Sequence, residues 1–201
     1  MPRTLIWDLD GTLIDSYDAI VNAIATAYQF YHWDFDREAI RSHILTTSVG
    51  QLAQERLEET GINFKTVYNA DLVTRDHEIK ILDGAQDILE WAKEQGFQQF
   101  IYTHKDKHAL PLLESLGLAD YFTEIVTADH GFRRKPDSQG VDYLMEKYQL
   151  NPANTYYIGD RPLDVDVAWN SGIKSINFVD YKPDFNQQIQ KLSDIKALLS
   201  D

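Results

Sequence analysis

Two carboxylates, Asp8 and Asp10, stand two residues apart at the end of an apolar run, Leu5-Ile6-Trp7, and Gly11-Thr12-Leu13 follow them. In a strand, residues i and i+2 share a face, with α-carbons about 6.5–7 Å apart. Like charges crowded on one face repel, and a fold keeps them where a cation or a reaction uses them. A calcium loop does not fit this stretch. Its fifth position would be Thr12 and its twelfth Ala19, where a glutamate is required. Three further groups follow in order: Thr103, then Lys135-Pro136, then Gly159-Asp160 with Asp164. Together they offer carboxylates, a hydroxyl and an ammonium.

The elements that must carry these residues follow from periodicity. From about residue 84 onward, helix and strand alternate. Ala85, Ile88, Leu89 and Ala92 match the i, i+3, i+4, i+7 template. So do Ala109, Leu112, Leu113 and Leu116, and again Val141, Leu144, Met145 and Tyr148. Gly96, Gly117 and Gly172 follow helical stretches as left-handed caps. Short β-prone runs lie between: Phe100-Ile101-Tyr102, Glu124-Ile125-Val126, Thr155 to Ile158 and Ser175 to Phe178. Such alternation predicts right-handed crossovers and a parallel sheet covered on both faces. Residues 16–80 break the rhythm with a helical template at Ile20, Ala23, Ile24 and Ala27, helical patterns near 37–44, 49–57 and 69–80, and no convincing strand. Asp15 or Ser16 is the expected N-cap of the first. The segment from about Asn186 reads as a terminal helix.

In an open parallel sheet, ligands sit outside the carboxyl ends of the strands. Asp8, Thr103 and Asp160 each end a predicted strand, so topology gathers them on one rim. Lys135 is expected in a loop before a helix, with Pro136 near the first turn. The rim's carboxylate oxygens suit a hard cation such as Mg²⁺, and none of the four motifs supplies imidazole or thiolate. A cation would leave room for an anionic substrate, for which phosphate is the best fit.

The set Asp-Leu-Asp-Gly-Thr-Leu, Thr103, Lys135-Pro136 and Gly-Asp-x-x-x-Asp resembles the haloacid dehalogenase superfamily, in its phosphatase branch. The helical insert is similar to the cap of the phosphoglycolate phosphatase-like and β-phosphoglucomutase-like members. The resemblance implies a Rossmann-like α/β core, residues 1–15 and 81–201, with a helical cap domain inserted at 16–80. It implies that Asp8 is the nucleophile and forms an aspartyl-phosphate, and that Asp10 is the general acid and base. Thr103 and Lys135 would bind the phosphoryl group, with backbone N–H groups of Leu9, Asp10 and His104. Mg²⁺ would be held by Asp8, by the backbone carbonyl of Asp10 and by Asp160, with Asp164 orienting the metal's water. Dehalogenases of the superfamily need no metal and lack an acid at the position of Asp10, so the resemblance favours a phosphatase. A phosphosugar mutase uses the same core and differs in cap chemistry. A non-catalytic phosphometabolite-binding module is the rival from another class, and loss of Asp8, Asp10 or Lys135 would have favoured it.

Composition narrows the partners. The 201 residues carry 32 acidic and 19 basic side chains, a formal net charge of −13. Such a chain gains nothing from counterion release, so nucleic acid and anionic membranes are excluded as expected partners. Cysteine is absent, which removes disulfides and a thiolate nucleophile. The expected protein is a cytoplasmic monomer or homodimer acting on a small phosphorylated metabolite. Arg133 and Arg134 read as solvated charges, and Arg161 as a surface charge or a support for Asp160. His104 departs from the small polar residue usual after the threonine and either meets substrate or begins a helix. In the insert, Arg41, His43 and Thr46-Thr47-Ser48 either face substrate or cover a helix surface.

Overall fold

The computed structural model describes residues 2–200. The chain forms two compact units, Met1–Ile14 with Ile81–Asp201, and Asp15–Lys80. Strand β1 (Thr4–Trp7) leads to a short β2 (Ile14–Asp15). Helices α1 (Tyr17–Phe30), α2 (Arg37–Thr46), α3 (Val49–Thr60) and α4 (Lys65–Leu72) follow. After β3 (Lys80–Ile81) come α5 (Ala85–Glu94), β4 (Gln98–Tyr102), α6 (Ala109–Ser115), β5 (Glu124–Val126) and α7 (Gln139–Lys147). The chain closes with β6 (Thr155–Gly159), α8 (Pro162–Asn170), β7 (Lys174–Asn177), β8 (Asn186–Gln188) and α9 (Asp194–Leu199).

Six strands form one sheet in the order β5-β4-β1-β6-β7-β8, and all their pairings are parallel. The β1 strand is buried along its length, because it lies between β4 and β6 with both faces covered. On one face Ile6, Phe100, Val126 and Tyr157 pack with Val141, Leu144, Val167 and Ala168. The register sets Trp7 level with Ile101 and with Ile158. Asp8 therefore comes level with Tyr102 and Gly159, and Thr103 and Asp160 lie one residue further. The chain runs outward from β1 through β4 to β5 and then returns to β6 on the other side. That reversal makes the crevice in which open α/β sheets bind ligands.

The Asp15–Lys80 unit is helical and has its own aromatic core. Tyr28 meets Trp33, Phe35 and Phe64 edge-on, with ring centroids 5.3, 5.8 and 5.7 Å away. Asp36 and Ser48 cap α2 and α3 by accepting the N–H groups of Ala39 and Gln51, both at 3.0 Å. Ser16 stands at the N-cap of α1, without a side-chain cap bond.

Three expectations are corrected. The stretch from Asn186 is not a helix at its start but the sixth strand, and only Asp194–Leu199 is helical. Asn186 is buried, and its amide accepts from Ser175 Oγ (2.8 Å) and donates to the Val179 carbonyl (3.0 Å), bonds that hold it on the sheet edge. Residues 69–80 are not one helix. After Leu72 the chain tightens into a 3₁₀ turn over Val73–Glu78 and then extends into β3, which pairs with β2. Thr74 assists by donating back to the Asp71 carbonyl (2.7 Å). Pro136 lies outside α7, which begins at Gln139, where Asp137 Oδ1 accepts the Gln139 N–H (3.0 Å). Among the described residues, no helix is long and apolar enough to cross a membrane.

Candidate active site

Asp8 follows β1, and its N–H continues the ladder to the Ile158 carbonyl at 2.8 Å. The chain then turns sharply. The Leu9 carbonyl accepts the N–H groups of Thr12, Leu13 and Ile14, and Gly11 adopts φ +83°, a conformation a β-carbon would disfavour. This turn sets Asp10 beyond the end of the strand.

Lys135 is the hub. Its ammonium donates to Asp8 Oδ1 at 2.6 Å, to Asp164 Oδ1 at 2.7 Å and to the Tyr157 hydroxyl at 3.1 Å. All four side chains are buried. Burial alone would pull the Lys135 ammonium down, but Asp164 and Asp8 outweigh it and hold the group charged, well above its usual value. Asp8 is pushed up from an ordinary 3.8 to about 6, chiefly by burial, with Lys135 opposing and Asp164 adding to the rise. Both groups are therefore charged at neutral pH. The second oxygen of Asp8, Oδ2, is buried and has no hydrogen-bond partner. In a structure where buried acceptors are nearly always paired, such an atom points to a reactant or a cation.

Asp164 lies in the first turn of α8 and is fully buried. Its Oδ1 takes Lys135, and its Oδ2 takes the Arg161 backbone N–H at 3.2 Å, which satisfies one donor at the start of α8. Gly159 is required beside it, since a β-carbon there would lie 2.4 Å from Asp164 Cβ. Asp160 sits at the end of β6 with Arg161 Nε 3.8 Å from its Oδ1, the supporting charge rather than a solvent-facing one. Oxygens of Asp8, Asp160 and Asp164 lie within 4.8 Å of one another. An all-oxygen set with an unpartnered buried oxygen fits a hard divalent cation. Asp164 already accepts a donor on each of its two oxygens.

On the β4 side, Thr103 is buried and its N–H reaches the Val126 carbonyl (3.0 Å). Its hydroxyl accepts the Lys105 N–H (3.1 Å). It does not cap α6, which starts at Ala109, and His104 does not begin that helix either. The His104 ring turns to the Lys135 loop, where Nε2 accepts the Lys135 backbone N–H at 2.9 Å. That nitrogen is therefore unprotonated. Lys105 Nζ lies 3.1 Å from Asp10 Oδ1. Neither Lys105 nor Tyr157 stood out in the sequence, one a loop lysine and the other an aromatic in a buried strand. The one available signal was that a phenol in a fully buried strand needs a polar partner.

Other candidates have partners of their own. Arg133 is exposed and pairs with Asp137 at 2.9 Å. Within the helical unit, Arg41 reaches Asp18 (3.0 Å), and His43 Nε2 lies 3.1 Å from Glu55. Thr46 and Thr47 donate to helix carbonyls, and Ser48 is a cap. Trp7 is core, its indole N–H donating to Gln99 (3.2 Å).

A buried lysine that ties the carboxylate after β1 to one in the first turn of α8, at the carboxyl end of a parallel sheet, marks a class of α/β protein with its site at the switch point. Comparison says which. Residues 5–178 match the family model of the haloacid dehalogenase-like hydrolases, and the chain belongs to that family. A phosphoglycolate phosphatase of Pseudomonas putida is 27% identical over 191 residues, 88% of this chain and 69% of its own length. Pyrophosphatase PpaX of Anoxybacillus flavithermus is 25% identical over 212 residues, 98% of this chain and 96% of its own. A solved structure from Lactobacillus plantarum, 22% identical, matches 99% of this chain and all of its own with a TM-score of 0.83, which supports the fold.

Proposed function

We propose that the chain is a divalent-cation-dependent phosphatase that hydrolyses a small phosphorylated metabolite through an aspartyl-phosphate on Asp8. One observation carries this reading: Asp8 has one oxygen locked to Lys135 and the other buried without a partner. A carboxylate held that way is aimed, and its open oxygen is the nucleophile. Asp8 Oδ2 attacks phosphorus, the bond from phosphorus to the leaving oxygen breaks, and Asp10 gives that oxygen its proton. Asp10 then takes a proton from water as the water oxygen attacks phosphorus, which frees phosphate and restores Asp8. Thr103 and the backbone N–H groups of Leu9, Asp10 and His104 cradle the phosphoryl oxygens. Lys135 holds Asp8 and adds positive charge beneath the reacting group.

Asp8, the Asp10 carbonyl and Asp160 would hold Mg²⁺, with Asp164 in support. Bound there, the cation would offset carboxylate repulsion and draw charge from the phosphoryl oxygens. The relatives' names give the starting substrates, phosphoglycolate and pyrophosphate, both small anionic phosphates. The test is phosphate release from a panel containing both, with Mg²⁺ or EDTA, for wild type and Asp8→Asn. Release that needs Mg²⁺ and falls by at least about 10³-fold in the variant supports the mechanism. Turnover that survives Asp8→Asn sinks it. A sugar phosphate isomerised without free phosphate would instead mark a mutase.

A further inference from the structure

We propose that Tyr157 is a positioning residue that commits the Lys135 ammonium to Asp8 and Asp164. The inference rests on the reading of Asp8 as nucleophile and concerns how that nucleophile is aimed. An ammonium has three N–H donors and no acceptor. Here the three are matched by three acceptors: Asp8 Oδ1, Asp164 Oδ1 and the Tyr157 phenol oxygen. The phenol's own hydrogen is spent, because it donates to the Tyr102 carbonyl at 3.0 Å. Only its lone pairs are left, and they face Lys135. The phenol thus acts one way, as an acceptor.

The phenol cannot swing aside. Its ring is fully buried and meets the Tyr102 ring edge-on, with centroids 6.5 Å apart. Tyr102 in turn donates its hydroxyl to the Arg133 carbonyl (3.1 Å), on the loop that delivers Lys135. Burial, reinforced by Asp164 and Asp8 and opposed by Lys135, keeps the Tyr157 phenol protonated well above its usual range. With the third N–H fixed, rotation about the Cε–Nζ bond of Lys135 is blocked. The other two N–H groups then point to one oxygen of each carboxylate, which leaves Asp8 Oδ2 as the open one.

Tyr157→Phe keeps the ring and removes only the hydroxyl. The expected result is a kcat lower by about tenfold, with KM and the cation requirement changed by less than about threefold. In a Lys135→Met background the same change costs less than about twofold, since the residue acts through the lysine. A readout independent of turnover is the ¹⁵N-lysine NMR spectrum of the metal-free protein. Wild type should show a slowly exchanging Lys135 ammonium, identified by its loss in Lys135→Met, with an NOE to the Tyr157 ring. Tyr157→Phe should speed its exchange. A kcat within twofold of wild type, or a wild-type ammonium without that NOE, overturns the proposal. If wild type releases phosphate from no ester, the phosphatase reading fails while the NOE still decides whether Tyr157 fixes the lysine.

Discussion

At the scale of single residues, Asp8 combines two demands that conflict, being buried and being ionised. Under the proposed mechanism its carboxyl, raised to about 6, must lose its proton both to attack and to meet a cation. Activity measured in limiting Mg²⁺ should therefore fall by about tenfold per pH unit below that value. Saturating Mg²⁺ should move the acid limb to lower pH, because cation and proton compete for one carboxylate. A limb that ignores the Mg²⁺ concentration would assign it to another group. Much of this site was legible beforehand, because Asp8, Asp10, Asp160 and Asp164 are carboxylates at strand ends and a helix start, and charge at such places has few structural excuses. Lys135 was legible through its neighbours in the motif order. Tyr157 and Lys105 were not. A tyrosine in Thr-Tyr-Tyr-Ile-Gly satisfies a buried strand fully as packing, and only coordinates reveal where its hydroxyl goes.

At the scale of elements, the hub depends on how closely β6 and α8 approach. Gly159 lets Asp164 fold back over the strand end, and a β-carbon there would sit 2.4–2.6 Å from three of its atoms, Cβ, Cγ and Oδ2. Gly159→Ala should therefore push α8 outward, destabilise the fold by about 1–3 kcal/mol and weaken the Asp164–Lys135 bond. Thermal melts beside activity check this, with activity expected to fall further than stability alone explains. The alternating pattern from residue 84 foretold the strands and helices of the sheet, since apolar periodicity is the cause of both. It missed β8, because Asn186-Gln187-Gln188 has no apolar alternation, and its backbone ladder to β7 is joined by one buried amide that meets Ser175. It also placed Pro136 too near α7, where the Asp137 side chain, not proline, sets the start.

At the scale of the molecule, an acidic chain concentrates four of its carboxylates, Asp8, Asp10, Asp160 and Asp164, around one rim. For Asp8 the linkage sign is unusual for an acid. The folded carboxyl holds its proton more tightly than the unfolded one, so the cation-free fold loses stability as pH rises from about 4 to about 6. A bound cation should return it. Mg²⁺ at about 100 times its Kd stabilises by about 2.7 kcal/mol, or about 5–10 °C in Tm for a chain of this size. Calorimetry at pH 7.5 should show that gain, and at pH 5 a smaller one; an equal gain at both would disconnect the cation from Asp8. The order of the strands has a further consequence, in time. The strand that leads into Asp8 precedes the others of its sheet, yet its partners Gln98–Ile101 and Thr155–Ile158 are encoded about 90 and about 150 residues later. At a synthesis rate of about 5–20 residues per second, the Leu-Ile-Trp segment waits roughly 8–30 s on the ribosome before its second neighbour exists. Asp8 is thus the earliest part of the site to be translated, on a strand that gains its second neighbour only when Thr155–Gly159 is made.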